Sequence, residues 1–425
     1  MNECLANNGG CDVTATCSNT PGSRTCTCPS GSTGNGVTCS DVNECLTNNG
    51  GCSVNATCTN TIGSRVCSCR QGFTGDGFTC TSNAPTWAIE TVAFSAGSSS
   101  SIALDSAGQP AIAYFSDNPR GVYLRRRTTS WSAAETVDSS TNAMEPSLVA
   151  SNTFVVANSI TTVVGSSVNT SIASWRRSAS TASWSPENTI AVYDRPDVAV
   201  GGGREHLVGV TRSGTFGNVG YSSRVQGSTT WSTPTLLGTG SSGFGPKISA
   251  SGSMVVALFG RSPDGLTLAR STNGGSTWST TTVTTSRVYD WDIVLDPSGT
   301  AFLVYYSPDA GHRITLESYS GLSRTRQDIV DTAASTPAGS SGFSGLSIAQ
   351  SPLGTTHAAW LDFTRGNVLR YTSNAESASF QTTTVANADD ILGRTSIVVD
   401  SSAAVHISFP QPSTSWSHLG YAVRR

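Results

Sequence analysis

Residues 45–80 read CLTNNGGCSVNATCTNTIGSRVCSCRQGFTGDGFTC, and residues 4–39 show the same cysteine spacing 41 residues earlier, as CLANNGGCDVTATCSNTPGSRTCTCPSGSTGNGVTC. In each stretch the successive cysteines are 7, 6, 9, 2 and 11 residues apart. None of the chain's 12 cysteines lies beyond residue 80. The two sets are Cys4, Cys11, Cys17, Cys26, Cys28 and Cys39, then Cys45, Cys52, Cys58, Cys67, Cys69 and Cys80. Two successive small modules are therefore predicted.

Disulfide bonds explain this spacing better than zinc does. Each stretch has one Cys-x-Cys, no Cys-x-x-Cys and no nearby histidine, whereas zinc modules use such clusters. A repeat of 41 residues buries too little apolar surface to fold by itself. Three disulfides at about 2–4 kcal/mol each would supply the missing stability. Such bonds persist in oxidising surroundings, although spacing alone leaves 15 connectivities open.

The residues around the cysteines resemble a known family. The segments DVNEC at 41–45, CTN at 58–60 and GFTGDG at 72–77 are similar to a calcium-binding EGF-like domain. The resemblance covers residues 1–80, and it implies pairing of the first cysteine with the third, the second with the fourth and the fifth with the sixth. The implied pairs are Cys4–Cys17, Cys11–Cys26, Cys28–Cys39, Cys45–Cys58, Cys52–Cys67 and Cys69–Cys80.

The same resemblance implies a Ca²⁺ site in the second module. Calcium takes six to eight hard oxygen ligands, which carboxylates, amide oxygens and backbone carbonyls provide. The implied ligand residues, some of them acting through backbone carbonyls, are Asp41, Val42, Glu44, Asn60, Thr61 and Ser64. The alternative is that these are solvated loop residues. Arg65 departs from the family, which has an aromatic residue there, but the departure leaves the ligand positions intact.

The first module keeps Glu3 and Asn19, but the sequence starts at Met1, one residue short of the expected aspartate. We therefore expect the sequence to begin inside a motif, with an export leader that has been removed or lies upstream. No run of 18 apolar residues occurs, so no membrane span is expected. Together with the disulfides, these features predict an extracellular protein, secreted or attached to a cell surface.

The composition of the chain argues against a nucleic-acid partner. The net charge is −3, only 12% of residues are charged, and Lys247 is the single lysine. A nucleic-acid interface requires a basic face. The densest basic run, Arg125–Arg127, lies in a predicted strand, and we interpret it as a solvated face. Many serines and threonines suggest disorder as the alternative, but regularly spaced apolar residues oppose it.

A short apolar strand recurs seven times, at intervals of 45 to 55 residues. The copies are Ser101–Asp105, Ser147–Ala150, Asp197–Val200, Lys247–Ala250, Asp292–Leu295, Ser347–Gln350 and Ser396–Val399. Each copy is followed by further strands and, in most units, a tryptophan-containing turn. Four strands per unit at this period predict a β-propeller, so the fold class is all-β: two EGF-like modules and a seven-bladed propeller.

The seventh unit ends at residues 419–423 with three strands and no fourth. Residues 86–92, TWAIETV, look like every other fourth strand, and we expect them to complete the last blade and close the ring. An open solenoid is the alternative, but it would leave unpaired sheet edges. The predicted domains are 1–40, 41–80, a linker at 81–85 and the propeller at 86–425.

Residues 271–278, STNGGSTW, resemble the Asp-box of sialidase-like propellers, a turn that marks the fold and lies away from the active site. The resemblance would imply a sialidase with three arginines that grip a carboxylate. However, the family's Arg-Ile-Pro signature is absent, and nothing in sequence gathers Arg204, Arg261, Arg313 and Arg394. We therefore expect no catalytic residues and a protein that is not an enzyme, with a sialidase-like hydrolase as the alternative.

His206, His357 and His406 occupy the same position, at the start of the second strand, in units three, six and seven. Equivalent positions around a ring diverge in space, so a shared metal site is not expected. A recurring structural histidine is the interpretation we prefer.

The segments that enter the first strands are expected to form one face of the ring, where propellers bind ligands. Aromatic and polar side chains suit the surfaces of sugars or proteins. The aromatic and polar residues of these segments are Glu145, Tyr193, Asp194, Arg195, Phe244, Tyr289, Asp290, Trp291, Phe343 and Arg394. The predicted ligand-binding residues among them are Tyr193, Arg195, Phe244, Tyr289, Trp291, Phe343 and Arg394. The alternative is that they cap strands and fill the channel mouth. Asn55 and Asn169 stand in N-glycosylation patterns.

These features predict an extracellular structural or adhesive protein. A calcium-stiffened rod would present a propeller that binds protein or glycan on a cell surface or in a matrix. The alternatives are a subunit of a self-assembling glycoprotein fibre, with the chain itself as partner, and a glycoside hydrolase.

Overall fold

The computed structural model divides the chain into two compact units, Met1–Thr86 and Trp87–Arg425. Nearly all regular structure is β. The structure describes every residue except 71–72, 83–85, 152, 165–166, 179–182, 188–189, 192–193, 212–215, 242–244, 262–263, 309–312, 322, 330–342, 365, 376–379, 389–392, 413–416 and 425.

The first unit contains two modules built alike, each with two 3₁₀ turns and two short hairpins. Their elements are Glu3–Leu5, Asn7–Gly10, Thr16–Thr20, Ser23–Thr27, Ser32–Gly34 and Cys39–Asp41, then Glu44–Leu46, Asn48–Gly51, Ala56–Thr61, Ser64–Cys69, Phe73–Gly75 and Cys80–Ser82. The disulfides are Cys4–Cys17, Cys11–Cys26, Cys28–Cys39, Cys45–Cys58, Cys52–Cys67 and Cys69–Cys80. These are the pairs that the resemblance implies. In the second module a small core of Cys52, Ala56 and Cys80 gathers around the bridges.

Arg65 occupies the position at which the family has an aromatic residue, and Arg24 occupies the equivalent position in the first module. The turn at Asn48–Gly51 has positive φ throughout, and a Cβ on Gly50 would lie 3.1 Å from Arg65 Cδ and 2.8 Å from Cys58 Sγ. Arg24 lies against Gly9 in the same way. The aliphatic part of the arginine side chain therefore packs closely over the turn, because the glycine there has no side chain to obstruct it.

The second unit is a ring of seven antiparallel sheets among the described residues, numbered here as blades 1 to 7. Blade 1 comprises Ala96–Leu104, Pro110–Asp117, Arg120–Arg126 and Glu135–Asp138; blade 2, Ala143–Ala150, Thr153–Val164, Ser167–Ser178, Ser185–Pro186 and Ile190–Ala191; blade 3, Asp194–Gly201, Arg204–Val210, Phe216–Val225 and Thr235–Ser241; blade 4, Lys247–Ser251, Met254–Gly260, Leu266–Ser271 and Ser279–Thr284; blade 5, Asp290–Leu295, Ala301–Ser307, Arg313–Ser320 and Ser323–Ile329; blade 6, Phe343–Gln350, Thr356–Asp362, Val368–Ser373 and Gln381–Asn387; blade 7, Ser396–Val399, Val405–Gln411, His418–Arg424 and Trp87–Ala93. In blade 2 the fourth strand is split into two short pieces that both pair with Ser167–Ser178.

The predicted closure of the ring is confirmed. Trp87–Ala93 pairs antiparallel with His418–Arg424, with Trp87 opposite Arg424 and Glu90 opposite Tyr421. The strand from the start of the propeller thus completes the last blade, and no open edge is left there.

The hydrophobic core consists of layers between neighbouring blades. Between blades 4 and 5, for example, Leu258 and Leu268 pack with Trp291, Leu303 and Tyr305, and all five are buried. The side chains of successive strand residues point to opposite faces of a sheet. Each sheet therefore packs one face against the preceding blade and the other face against the following blade, and both faces are apolar.

The first strands surround the axis and are joined by a ring of hydrogen bonds. A serine or aspartate of one blade accepts the backbone N–H of the next blade's first strand. The acceptor and donor pairs are Ser101 Oγ and Leu148 (3.1 Å), Ser147 Oγ and Val198 (3.2 Å), Asp197 Oδ2 and Ile248 (2.8 Å), Ser249 Oγ and Leu295 (2.9 Å), Asp292 Oδ2 and Ile348 (2.9 Å), and Ser396 Oγ and Ile102 (3.2 Å). Blades 6 and 7 are joined by the hydroxyls of Ser347 and Thr395 (2.7 Å). The polar residue that opens the recurring strand thus joins neighbouring blades in six of the seven copies, and Ser249 takes this role in blade 4, whose copy opens with Lys247.

The three recurring histidines each bond a tyrosine of the third strand. The Nδ1 atoms of His206, His357 and His406 lie 2.8, 2.7 and 2.6 Å from the hydroxyls of Tyr221, Tyr371 and Tyr421. All three histidines are buried. This geometry fits the structural role that the sequence predicts for them.

The basic run Arg125–Arg127 is predicted to form a solvated face, but two of its arginines form ion pairs. Arg127 forms a bidentate pair with Glu90, with Nε–Oε2 at 3.1 Å and Nη2–Oε1 at 2.6 Å, and Arg126 pairs with Glu135. The cause is ring closure, because Glu90 belongs to blade 7 and Arg127 follows the third strand of blade 1.

Candidate functional site

Two places gather polar groups beyond what the fold needs. The first is the candidate cation site of the second EGF-like module. Asp41 ends a strand, and its Oδ1 accepts the Gly63 N–H (2.6 Å) while its Oδ2 accepts the Asn60 amide (2.7 Å). The bond from Gly63 first, and then that from Asn60, lower the pKa of Asp41. Asp41 is therefore ionised at neutral pH and accepts a hydrogen bond from the side-chain N–H of Asn60.

Two acceptor oxygens at this site lack a donor. Glu44 Oε2 and Asn60 Oδ1 are shielded from solvent and have no hydrogen-bond partner among the described residues. A buried acceptor without a partner costs about 1–3 kcal/mol, which a bound cation would recover. Asp41, Glu44 and Asn60 therefore fit a hard cation, while Val42, Thr61 and Ser64 lie beside them in chain and offer backbone carbonyls.

The first module differs at the equivalent amide. Asn19 Oδ1 accepts the Glu3 N–H at 3.2 Å, so this oxygen is already engaged. No cluster of three or more His, Cys, Asp or Glu side chains suited to a metal occurs in the described part of the chain. The candidate site has only two carboxylates, so it is not a cluster of that kind.

The second place is the mouth of the ring's channel, defined here by Glu145, Arg195 and Arg394. Glu145 Oε1 lies 3.9 Å from Arg195 Nε and 3.9 Å from Arg394 Nη2. These residues come from blades 2 and 3 and from the segment before blade 7. Their side chains are 22 to 31% exposed, so the group is open to solvent. Ring closure thus brings two of the predicted mouth arginines to one carboxylate.

The backbone at the mouth is strained. Glu145 and Arg195 have φ values of 53° and 52° at equivalent bulges, where the register shifts between Met144 and Ser147 and between Asp194 and Asp197. A non-glycine residue in the left-handed region costs about 1–2 kcal/mol. The equivalent bulge of blade 6 uses Gly345. Two charged residues thus occupy positions where glycine would be less strained.

Space for Arg195 is provided by the neighbouring blade. A Cβ on Gly245 would lie 2.8 Å from Arg195 Cβ, so only glycine fits beside the arginine there. The Arg195 N–H is also fixed, since Ser159 Oγ and Asp194 Oδ1 both lie 2.9 Å from it. Contacts from three blades therefore fix the position of Arg195.

Below the mouth, the axis carries Lys247, Asp290 and Asp292. Asp290 Oδ2 accepts the Leu346 N–H at 2.9 Å, and burial raises the pKa of this carboxyl against the opposing charges of Arg394 and Lys247. Burial also raises the pKa of Asp292 to about 6, although Lys247 opposes it. The sequence interpretation did not include Lys247 and Asp292 in the site, but both open copies of the recurring strand motif.

Several predicted mouth residues have other positions. The first strands begin earlier than expected, so Glu145, Arg195, Trp291 and Phe343 lie in strands rather than in loops, and prolines occupy the bulges. Trp291 is 2% exposed and packs in the core between blades 4 and 5, which removes it from any ligand surface.

Tyr289 is half-buried against Tyr306. Tyr193 and Phe244 lie outside the described residues. Of the glycosylation patterns, Asn55 precedes Ala56–Thr61 and is partly exposed, and Asn169 lies in Ser167–Ser178.

A tyrosine–glutamate group lies in the interior of blade 5. Glu317 is fully buried and accepts the hydroxyls of Tyr305 (2.8 Å) and Tyr319 (2.9 Å) and both Nε and Nη2 of Arg324. Burial first, and then the Glu317 carboxylate, raise the pKa of both tyrosines. A nucleophilic tyrosine must lose its proton, so this group is unsuited to that role.

In the described part of the chain no helix is both long and apolar enough to cross a membrane. The family described as EGF domain matches residues 4–39 and 45–80. No curated protein matches the chain.

Solved structures that resemble the chain include a protein of unknown function from Dyadobacter fermentans (12% identity, 79% of this chain and 99% of that chain, TM-score 0.47). Others are the Aleuria aurantia lectin with Fucalpha1-6GlcNAc (11%, 70% and 98%, TM-score 0.44) and a leech intramolecular trans-sialidase (9%, 78% and 68%, TM-score 0.41). At these scores the likeness carries no conclusion about what this chain does. The chain itself joins two EGF-like modules to a seven-bladed β-propeller.

Proposed function

We propose that this chain is an extracellular adhesive protein, in which a calcium-stiffened pair of EGF-like modules presents a propeller that binds a protein or glycan at its channel mouth. Six disulfides in the first 80 residues support an oxidising, extracellular setting. The observation that carries the proposal is the strained pair Glu145 and Arg195, which faces Arg394 at the mouth.

The role of calcium rests on the joint between the modules. The Val42 N–H donates to Gly31 O at 2.9 Å, and a Cβ on Gly31 would overlap the backbone of Gly63, whose N–H is held by Asp41. The candidate ligand Asp41 thus belongs to the same contact as the joint. A bound Ca²⁺ would supply charge and oxygen coordination there, and would hold Asp41 and Asn60 together.

The channel mouth suits a ligand that carries a carboxylate or another anionic group. The guanidinium groups of Arg195 and Arg394 both lie 3.9 Å from Glu145, so two cations gather around one carboxylate. Guanidinium groups bind carboxylates in bidentate geometry, and the excess positive charge favours such a ligand. The buried tyrosines beside Glu317 give no activated nucleophile, which favours binding over catalysis.

The ligand test compares Arg195→Gln/Arg394→Gln with Arg287→Gln, in binding to a glycan array and to matrix proteins. Arg287 is the control because it pairs with Asp264 at 3.7 Å on the surface, with both side chains about half exposed. We expect the double variant to bind the wild-type ligand at least 10-fold more weakly, about 1.4 kcal/mol or more. Equal binding by all three proteins would overturn the mouth as the site.

The calcium test measures the affinity for Ca²⁺ by calorimetry. Asp41→Asn should lose most of the affinity, because it removes one of the two charged ligands while keeping an oxygen. Asp76→Asn is the control, since Asp76 only caps the turn at Phe78 and Thr79 of the same module. If the wild type takes up no Ca²⁺ at millimolar concentration, the calcium part of the proposal is wrong.

A further inference from the structure

The junction of blades 7 and 1 shares no residue with the channel mouth. In three blades the histidine-bonded tyrosine meets a tryptophan of the next blade edge-on. The ring centroids are 4.8 Å apart for Tyr221 and Trp278, and 5.0 Å apart for Tyr421 and Trp131. The third pair is Tyr371 and Trp87. The three junctions therefore share the same contact between a tyrosine and a tryptophan.

Between blades 3 and 4, the turn at residues 271–278 covers the tyrosine. Gly274 O accepts the Tyr221 hydroxyl at 3.2 Å, and a Cβ on Gly275 would overlap that hydroxyl. Ser271 Oγ accepts the Gly275 N–H, and Gly275 O accepts the Trp278 indole N–H, which fixes the turn. The phenol is therefore sealed by backbone.

Between blades 7 and 1, the equivalent turn is shorter. Six residues separate Ser271 from Trp278, whereas only three separate Arg127 from Trp131. The tryptophan keeps its place, since Trp131 Nε1 donates to Glu90 and its ring meets Tyr421. The missing residues leave a cavity of about 280 Å³ over the tyrosine. It is lined by Gly108, Gln109, Pro110, Arg127, Thr128, Asp400, Ser402, Ala404, His406 and Tyr421.

A carboxylate distinguishes this junction from the other two. His406 Nε2 lies 3.2 Å from Asp400 Oδ2, whereas the same atom faces the Gly201 carbonyl in His206 and the Thr355 hydroxyl in His357. Burial opposes ionisation of Asp400, but hydrogen bonds from Ser402, His406 and Ala404 lower its pKa. An ionised acceptor is thus held at the cavity wall.

The cavity wall is polar, and its charged groups are the ionised Asp400 and the ion-paired Arg127. The Arg127 guanidinium is neutralised by Glu90, and Asp400 is engaged by His406. Gln109, Thr128 and Ser402 add amide and hydroxyl groups that both donate and accept. This lining is matched by a ligand with several hydroxyl groups rather than by an anion or an apolar group, and the volume lies at the lower end for small-molecule pockets.

We propose that the cavity between blades 7 and 1 is a binding site for a single neutral sugar residue. The buried residues Pro110, Ala404 and Tyr421 form its apolar floor. Asp400, Gln109 and the neighbouring hydroxyls accept and donate hydrogen bonds to the sugar. Its occupant takes the volume that Gly274 and Gly275 fill at the junction of blades 3 and 4.

The test titrates the full chain with a panel of neutral monosaccharides and follows saturable binding by ligand-observed NMR. In the main variant, residues 128–130 are replaced by TNGGST, the sequence at 272–277, which restores the covering turn. Gln109→Ala is the second variant, and Gln226→Ala, an exposed glutamine that bonds Ser151, is its control. We expect one or more sugars to bind, with at least 10-fold weaker binding in both cavity variants and unchanged binding in the control.

The mouth variant Arg195→Gln/Arg394→Gln should bind these sugars normally, which separates this site from the channel mouth. If the replaced turn prevents folding, Gln109→Ala decides the question. Absence of saturable binding by the wild type, or binding that neither cavity variant weakens, overturns the proposal. Binding of an Asn-Gly-Gly peptide but of no sugar overturns the ligand class.

Discussion

Single residues around the ring differ in how they respond to pH. Burial, and next the charge of Arg424, lower the pKa of His357 to about 4. A base whose pKa falls on folding contributes stability that is lost as pH drops from its unfolded pKa of about 6.5 towards 4. Asp292 has the opposite sign, because burial raises its pKa to about 6, so its contribution to stability increases as pH falls. The two effects offset each other between pH 4 and 6.

The first prediction concerns His357→Gln. The stability advantage of the wild type over this variant should shrink by about 3 kcal/mol between pH 7 and pH 4, because two and a half pKa units correspond to that energy. Urea unfolding of the propeller at both pH values measures it. Tyr371→Phe is the control, since it removes the hydroxyl bonded to His357 and leaves the titrating ring. A constant difference between wild type and His357→Gln would contradict the burial of a neutral imidazole.

The second prediction concerns Asp292→Asn. The wild type should gain about 2 kcal/mol over this variant as pH falls from 7 to 4, since the buried carboxyl becomes neutral. The same urea titrations measure it. Lys247→Met should move this transition to higher pH, because Lys247 is the charge that favours the ionised form. An unshifted transition in that variant would show that the two groups do not interact.

At the scale of elements, side chains of fourth strands link neighbouring blades. Glu90 in Trp87–Ala93 receives Arg127 and the Trp131 indole of blade 1, and Glu187, after Ser185–Pro186, receives Arg224 of blade 3 at 2.6 Å. Glu205 also binds Arg224 and Arg176, so this second link is a buried network. The ring therefore depends on polar links between blades as well as on apolar layers.

The third prediction tests such a link. Glu90→Ala should destabilise the propeller by about 1–2 kcal/mol, because it leaves the partly buried Arg127 and the Trp131 N–H without their acceptor. Chemical unfolding measures this loss. Asp264→Ala removes an exposed partner of Arg287 and should change stability by less than about 0.5 kcal/mol. Equal effects of the two variants would mean that Glu90 makes no special contact.

The sequence predicted those elements that repeat. Cysteine spacing indicated both modules, and the recurring first strand indicated seven blades, because both signals are local and periodic. The convergence of Glu145, Arg195 and Arg394 was not predictable, since it depends on how ring closure brings blades 2, 3 and 7 together. Trp291 was misplaced for a related reason: an aromatic residue before a buried strand has the same pattern whether it faces a ligand or the next blade.

At the scale of the whole molecule, the division at Thr86 and Trp87 gives the fourth prediction. A fragment that starts at Trp87 should fold into a monomeric ring, because it keeps the strand that pairs with His418–Arg424. A fragment that starts at Ala96 lacks this strand and should aggregate or unfold at lower temperature, since blade 7 then has an open edge. Thermal melting and size-exclusion chromatography measure both. Equal behaviour of the two fragments would show that the closing strand is dispensable.

The position of Trp87–Ala93 has a consequence for biosynthesis. The ribosome makes this strand before any blade, yet its partner, His418–Arg424, lies more than 300 residues later in the chain. While the intervening blades form, the segment has no sheet to join, and blade 7 cannot be completed until residues 418–424 have been translated. Synthesis of that strand, rather than the growth of the earlier sheets, is therefore the step that allows this protein to become a closed circle.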